Sequence, residues 1–309
     1  FAFGGLSCGG CLDTLAGMRA GFKAVWASET SASQARMYEN LTKTKCLGDT
    51  FGEQVYNAKR VDYIKSGQPC PDYSRSGSQL GSQGESGWMF VKQVDILLHL
   101  RPWAICLEIS DNAVQVNEGK EVAEVTVALE VAYVVHARLI QVWKYGDPSN
   151  RTRLFMVALH RDLGQAAFDF QWPTESFSSA NAPVARLIAS QDEDVPAKYW
   201  RYDDITEFQV WENKDQPDRI QVISRTGAGM GPARLPRSIQ SWDGLLNGPT
   251  SLGGGGRHPE LHWTTGSEIC RTRLTTPKEF VKAASLPDDY LAWCSGYADG
   301  DVDKYAMMC

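Results

Sequence analysis

Cys70 lies between Pro69 and Pro71, directly after a strand-like run and Gly67. Proline fixes φ and disfavours helix in the residue before it, so this thiol is expected in a stiff, extended turn at the mouth of a sheet. A rigid, partly open thiol suits covalent catalysis, where geometry is set before a thiolate attacks. A free cysteine is also a common small core residue, so the turn alone decides nothing. Two further features accompany it. Residues 103–107 read as a buried strand that ends on Glu108, and a carboxylate there is costly unless it has a partner or a task. Arg151 and Arg153 alternate on entry to an apolar run. Side chains two apart on a strand share a face, so both guanidiniums are expected to meet one anionic or carbonyl-rich ligand; a solvated edge pair is the alternative.

The elements that must position these groups begin at the first residue. Residues 1–29 read as strand, glycine-rich turn, helix, strand and acid, with Gly4, Gly5, Gly9 and Gly10 in and around the turn and Glu29 closing the second strand. This unit holds a nucleotide-like cofactor at the carboxyl end of a parallel sheet: glycine lets backbone approach a ligand, and an acid after the second strand takes ribose hydroxyls. Residues 31–44 are helix-like, with Ala35, Met37, Tyr38 and Leu41 able to share a face. Asp49 then follows a third short strand, suited to an adenine amino group, with a plain turn aspartate as the other reading.

Residues 75–87 are small and flexible and directly follow the candidate nucleophile, which favours a lid over a linker. Residues 88–101 carry a helical apolar stripe (Phe90, Val91, Val94, Leu97, Leu98) stopped at Pro102. Residues 117–135 read as helix and 137–142 as strand. From 162 to 260 helical periodicity fades, and short β-like runs, Trp, Pro and Gly dominate, with a basic stretch (Arg225, Arg234, Arg237) and a glycine-rich loop at 253–258. Thr275 or Thr276 caps a further helix, with Pro277 in its first turn.

The bulk numbers fit one large domain or a large and a small one: 309 residues, 43% hydrophobic and 22% charged. No apolar run is long enough to span a bilayer. A net charge of −6 argues against a generally sticky nucleic-acid coat, though not against a local basic cleft. The eight cysteines need no disulfide framework in a chain of this length, and Cys8 and Cys11 lack the second pair or histidine that a zinc site requires. Reduced thiols inside a cell are the expectation. The chain opens at Phe1 already in a strand-like run, so residues upstream are expected to have been removed or left out.

Taken in order, Pro69-Cys70, Glu108 and Arg151-x-Arg153 resemble the C5-cytosine DNA methyltransferase family, and the resemblance covers nearly the whole chain. The glycine-rich opening, Glu29, Asp49, Gly87-Trp88-Met89-Phe90 and Arg273-Leu274-Thr275-Thr276-Pro277-Lys278-Glu279 agree with it. It implies a Rossmann-like α/β methyltransferase fold with a mostly parallel sheet, plus a small, irregular, β-rich target-recognition domain. The implied boundaries are residues 1–160 for catalysis, 161–264 for recognition, and 265–309 returning to the catalytic domain. It implies S-adenosylmethionine as cofactor, held by Phe3, Gly4, Gly5, Gly9, Gly10, Glu29, Asp49, Thr50 and Pro69, with no metal, and double-stranded DNA as partner, with no membrane. Cys70 resembles the nucleophile that adds to cytosine C6, Glu108 the carboxyl that grips N3 and the 4-amino group, and Arg153 the holder of O2, supported by Arg151. The implied activity is DNA (cytosine-5-)-methyltransferase. A protonated Glu108 is required to donate to N3; raising a carboxyl from about 4.3 to near 7 costs roughly 4 kcal/mol, which apolar burial behind Leu107 is expected to supply.

Three departures accompany the resemblance. The family usually carries Glu-Asn-Val where this chain has Glu108-Ile109-Ser110, and the asparagine normally steadies the Pro-Cys turn. Ser149 stands where glutamine is usual. The family's closing Gly-Asn segment is absent by Cys309, so a fragment is expected. Two other readings stay open: a tRNA cytosine-5 methyltransferase, and a methyltransferase-like protein that binds or regulates without catalysis. The compartment follows the source: nucleus in a eukaryote, cytoplasm or nucleoid in a bacterium or virus.

Overall fold

A computed structural model describes residues 1–178 apart from Cys70, Ser76, Pro148 and Asn150, and beyond them 200–201, 208–212, 221–225, 239–241, 260–265, 268–274, 276–283 and 290. Cys70, Arg234, Arg237 and the 253–258 loop therefore lie outside the described residues. The chain divides into two units, one of Phe1–Ile140 with Thr152–Pro173, the other of Gln141–Arg151 with Thr174–Cys309.

The first unit runs β1 (Ala2–Leu6), α1 (Leu12–Arg19), β2 (Lys23–Ala27), α2 (Ala32–Thr42), α3 (Glu53–Tyr56), β3 (Tyr63–Ser66), α4 (Trp88–Leu100), β4 (Ala104–Ser110), α5 (Lys120–Glu130), β5 (Tyr133–Gln141), β6 (Thr152–His160) and α6 (Gln165–Phe168). Its sheet has the order β2-β1-β3-β4-β6-β5. Pairings β1–β2, β1–β3 and β3–β4 are parallel and β4–β6 is antiparallel. This is an α/β fold of the expected kind. The switch in strand order beside β1 places ligands at the carboxyl ends of the strands.

Strand alternation sorts the side chains. Ile64, Ile105, Leu107, Ile109, Leu154 and Met156 enter one buried cluster with Phe90, Val94 and Leu97 of α4 and Val125 and Leu129 of α5. Phe3, Tyr63, Lys65, Cys106 and Glu108 lie one residue out of step with that set, so they take the opposite face. There Phe3 packs on Tyr63 and Phe22, with ring centroids 6.3 and 6.5 Å apart, and against Gly17 of α1.

Local readings differ from the sequence expectation in three places. The third short strand before Asp49 is a single bridge, Ala27 to Cys46; β3 is instead the run leading to Pro69. The helix expected over 117–135 ends at Glu130, and β5 already begins at Tyr133, where the valine pair at 134–135 favours strand. β4 does not stop at Glu108 but continues to Ser110.

In the second unit, β7 (Trp200–Arg201), β8 (Phe208–Glu212), β9 (Gln221–Arg225), β10 (Ile239–Ser241), β11 (Glu260–Thr265) and β12 (Glu268–Leu274) form a sheet of order β7-β12-β11-β10-β9-β8. The region is β-rich, and among the described residues its strands form one six-stranded sheet. β12 pairs antiparallel with β11 across the boundary expected at 264/265. α7 (Pro277–Ala283) begins with a capping box: Glu279 Oε2 accepts from Thr276 N at 2.8 Å, and Glu279 N donates to Thr276 Oγ1 at 3.2 Å.

Gly4 is set by packing. A Cβ there would stand 2.5 Å from the indole ring of Trp26, and that ring is tethered by its Nε1 donating to Lys59 O at 2.8 Å. Gly4→Ala is expected to destabilise the protein by about 1–3 kcal/mol through overpacking, measured as a lower urea midpoint with unchanged slope.

Candidate active site

The glycine turn and the end of β2 are tied by Glu29. Its Oε2 accepts from Gly9 N at 2.9 Å and its Oε1 from Ser31 N at 2.8 Å, while Glu29 N donates to Gly48 O at 2.7 Å. Gly9 has φ +49 and open space where a Cβ would project, so the backbone here can be approached closely. A carboxylate has about four lone-pair sites, so these two backbone bonds leave Glu29 acceptor capacity for ribose hydroxyls. Asp49 is exposed; its Oδ1 accepts from Phe51 N at 3.0 Å, an Asx turn of the sort expected on the plainer reading. These groups fit a nucleoside cofactor: an approachable backbone, an acid after β2 and an exposed acid further on. Phe3 and Gly4 contribute packing instead, since Phe3 is 1% exposed and Gly4 abuts Trp26. Gly5 meets Ala27 and Cys8 at ordinary distances of 3.7 and 3.8 Å. Gly10 follows Gly9 in the turn and is half-buried.

Thr50 is buried and belongs to a chain of side-chain hydrogen bonds. Thr50 Oγ1 meets Ser28 Oγ at 2.6 Å and Ser7 Oγ at 3.1 Å; Ser7 Oγ donates to Gln68 Oε1 at 3.2 Å. Gln68 Nε2 donates to Ser66 Oγ at 3.1 Å, and Ser66 Oγ donates to Gln93 Oε1 at 2.5 Å. The chain joins the turn after β1, the end of β2, the end of β3 and α4. Through Gln68 it fixes the backbone that enters the exposed Pro69 and then Cys70. Apart from Thr50, expected at the cofactor, these residues escaped sequence reasoning; the available signal was Gln68, a polar residue wedged between Gly67 and Pro69 directly after β3.

Three thiols gather beside this turn. Cys8, Cys11 and Cys46 are buried; Cys11 Sγ donates to Gly9 O at 3.8 Å and Cys46 Sγ to Glu29 O at 3.9 Å. The contact with Cys11 first, then burial, pushes the Cys8 thiol up. The contact with Cys8 and then burial do the same to Cys46. Both are held as neutral thiols, the opposite of an activated nucleophile.

Glu108 and Arg153 are brought together. Ser110 pairs with Arg153 and Glu108 with Phe155 in the β4–β6 register, so the carboxylate and guanidinium are diagonal neighbours on one face. Arg153 Nε lies 3.0 Å from Glu108 Oε1, with side chains 21% and 19% exposed, and Arg153 Nη1 donates to Thr152 O at 2.8 Å. Leu107 itself points into the core on the other face, so the burial around Glu108 comes from neighbours on its own face. Lys65 shares the Glu108 face, next to Cys106 across the β3–β4 pairing. Its Nζ is 2.8 Å from Asp13 Oδ2 of α1. Burial pulls the Lys65 pKa down, but Asp13, Cys106 and Glu108 more than offset it, and the net shift is upward. A lysine directly after Ile64 in the short strand β3 was the sequence signal for this pair.

Arg151 precedes β6 rather than lying in it, so alternation along the strand does not align it with Arg153. It belongs to the second unit, where its carbonyl accepts from Val142 N at 2.9 Å. Ser149 in the same segment is buried, and its N–H donates to Asp147 Oδ1 at 2.8 Å. Ile109 is buried in the core. A carboxamide nevertheless reaches the Pro-Cys segment from three residues further on: Asn112 Nδ2 donates to Tyr73 O at 3.0 Å and to Gln79 Oε1 at 3.3 Å. The short 3-10 turn Asp111–Val114 after β4 directs it there.

The Asp13–Lys65 pair is asymmetric, with side chains 43% and 8% exposed. Removing the exposed partner strands a buried cation, which costs far more than removing the buried one. After discounting for the solvent around Asp13, Asp13→Ala is expected to cost about 2 kcal/mol and Lys65→Met under about 1 kcal/mol, compared by urea unfolding. Equal losses would remove the asymmetry.

The chain was compared with known proteins for family and fold. The family model of the C-5 cytosine-specific DNA methylases matches residues 5–307. The chain is 24% identical over 274 residues to the type II methyltransferase M.HhaI of Haemophilus parahaemolyticus, covering 87% of this chain and 79% of that protein. It is 28% identical over 290 residues to the type II methyltransferase M1.ScrFI of Lactococcus lactis subsp. cremoris, covering 90% and 68%. Two solved structures share the fold: the Entamoeba histolytica methyltransferase EhMeth (TM-score 0.64, 14% identity, 100% of this chain and 92% of that one) and Dnmt2 of S. pombe (TM-score 0.62, 12% identity, 100% and 93%). With its motifs in order and the family match running nearly from end to end, this chain belongs to the C-5 cytosine-specific DNA methylase family.

Proposed function

We propose that this protein transfers a methyl group from S-adenosylmethionine to C5 of a cytosine in double-stranded DNA, through a covalent bond between Cys70 and C6 of the base. The observation that supports the reading most directly is the Glu108–Arg153 contact at 3.0 Å, in a chain that matches the C-5 cytosine-specific DNA methylases over residues 5–307. S-adenosylmethionine, when bound, supplies an electrophilic methyl on its sulfonium; Glu29 and Asp49, with the backbone at Gly5, Gly9 and Gly10, are the groups of this chain that would hold it. Pro69 is the stiff entry to the nucleophile.

Cytosine C5 is a weak nucleophile. Addition of the Cys70 thiolate at C6 gives C5 enamine character, and loss of the C5 proton and of the cysteine after methylation restores the ring. A free thiol near pKa 8.5 is only a few per cent ionised at neutral pH, so the base must be presented accurately. Glu108 takes the N3 and 4-amino edge and Arg153 takes O2. In the resting protein the two charges already face each other at 3.0 Å, so the incoming base enters between the members of an existing ion pair. Arg151 is assigned a supporting role on the strength of the motif alone. Enzymes that do chemistry on a base inside a duplex, methyltransferases among them, take it out of the stack, and residues 75–87 are the segment placed to cover it.

Incubation with labelled S-adenosylmethionine and duplex DNA, single-stranded DNA or tRNA tests the reading. Methyl transfer to duplex DNA is expected, with Cys70→Ala lowering the rate more than about 10³-fold and Glu108→Gln lowering it about 10²-fold. Transfer confined to tRNA would replace the DNA assignment, and binding without transfer would replace the enzymatic one. In DNA carrying 5-fluorocytosine the fluorine at C5 blocks release, so the wild-type protein is expected to form an adduct stable to denaturation and Cys70→Ala none. An adduct that persists in that variant would remove Cys70 as nucleophile.

A further inference from the structure

The stretch after Cys70 has the glycine and serine content of a mobile loop, yet it is tied down at one point. Asp72, two residues beyond Cys70, is 6% exposed. Its Oδ1 accepts from Ser78 Oγ at 2.5 Å. Its Oδ2 accepts from Ser86 N at 2.9 Å, Ser86 Oγ at 3.0 Å and Gly87 N at 2.8 Å. Its carbonyl accepts from Gly81 N at 3.0 Å. One residue thus gathers both arms and the middle of the loop. Gly84 presses so closely on the carboxylate that a side-chain methyl would overlap it. Hydrogen bonds to an ionised acceptor are the stronger kind. Ser78 foremost, then the Ser86 N–H, hold the Asp72 carboxyl below the usual carboxylate range.

The next residue extends the arrangement. Tyr73 is fully buried; its hydroxyl donates to Gly87 O at 3.1 Å and its carbonyl accepts from Asn112 Nδ2 at 3.0 Å. Further along the loop, Ser82 N and Oγ each donate to Glu121 Oε1 of α5 at 3.1 Å. Asp72 and Tyr73 therefore connect the Cys70 segment at once to the loop, to the start of α4 and to the turn after β4. Between Asp72 and Cys70 stands only Pro71, whose fixed φ makes a poor hinge.

We propose that Asp72 is the positioning residue of this site: its carboxylate couples the placement of the 74–87 loop to the placement of Cys70, so that closing the loop over a base and presenting the sulfur become one movement. The proposal rests on the reading of Cys70 as nucleophile and adds to it the group that aims the sulfur. Asparagine at this position keeps the size but offers one acceptor oxygen, and its amide nitrogen cannot accept from Ser86 N or Gly87 N.

The test compares wild type, Asp72→Asn, Ser78→Ala and Ser86→Ala. Three quantities are measured: the rate of adduct formation on 5-fluorocytosine duplex DNA, KM for S-adenosylmethionine, and amide exchange across the chain. Asp72→Asn is expected to slow adduct formation about 10–100-fold, the penalty of a misplaced reacting group, with KM for the cofactor within about twofold and faster exchange confined to residues 74–87. Each serine variant, losing fewer bonds, is expected to slow it only a few-fold. A folded Asp72→Asn protein with wild-type adduct rate overturns the proposal. So does a rate loss accompanied by faster exchange throughout the first unit, which would mark Asp72 as a stability residue only. If the wild-type protein forms no adduct and transfers no methyl group, the functional reading fails by itself. The coupling is then judged on exchange: protection of Ser86 and Gly87 lost in Asp72→Asn supports it, and protection retained overturns it.

Discussion

The constraint on which the site depends is the alternation of β4. Leu107 and Ile109 are each 1% exposed in the core shared with α4 and α5. Burying a side chain of that size is worth about 1.5–3 kcal/mol, so the strand cannot turn over without losing several such terms. With those two residues committed, Glu108 has no choice of face. It is delivered to the side of the sheet that carries Lys65, Arg153 and the α1 contact through Asp13. The apolar residues of β4 therefore act on the chemistry indirectly, by making the direction of one carboxylate as stable as the core itself. Ile109, in the place where the family usually has asparagine, strengthens that commitment, and Asn112 meets the backbone need from the following turn.

Much of this was legible in the sequence because it followed from periodicity and from proline and glycine. β1, α1 and β2 in the opening, α4 with its stop at Pro102, and the cap before Pro277 all obey local rules that need no tertiary information. What failed locally failed for identifiable reasons. The helix expected through residue 135 overran because an apolar run such as 131–135 fits helix and buried strand alike. The strand expected before Asp49 is only a bridge, since Cys46 has a single pairing, with Ala27. The β12 strand was assigned to the closing segment because a sequence break says nothing about which sheet a strand joins, whereas its pairing with β11 does.

The site was legible in its chemical residues and opaque in its supports. Glu108 and Arg153, which folding brings together, stand out in the sequence because acid and guanidinium occur in unusual settings. Ser7, Ser28, Thr50, Ser66, Gln68 and Gln93 are individually ordinary; they matter because folding puts them within hydrogen-bond reach of one another. A buried polar group costs free energy unless paired, so this chain stabilises only one relative placement of β1, β2, β3 and α4. Sequence spacing carries no record of such a chain, since its members come from positions 7 to 93. In residues 75–87 the same holds: their composition suggests a lid but gives no sign that Asp72, seemingly one more turn aspartate, organises them.

On the functional reading, the Glu108–Arg153 pair answers a problem that composition alone leaves open. A carboxylate and a guanidinium awaiting a neutral base would each be half-desolvated and unpaired, at a cost that falls on the resting protein. Placing them 3.0 Å apart lowers that cost and holds the two charges together before the base arrives. The base then replaces one favourable contact by two, O2 on the guanidinium and the N3 and 4-amino edge on the acid, which takes up a proton from solvent in order to donate to N3. Only a ring that offers both at the right separation recovers what breaking the pair loses. Thymine presents an N–H at position 3 and a carbonyl at position 4, so against an acid that donates to N3 and accepts from the 4-amino group it has the wrong polarity at both points. Discrimination of this kind comes from the penalty for an imperfect exchange, which is larger than the gain from any single added hydrogen bond. The ion pair is in this sense part of the recognition and not merely a resting state.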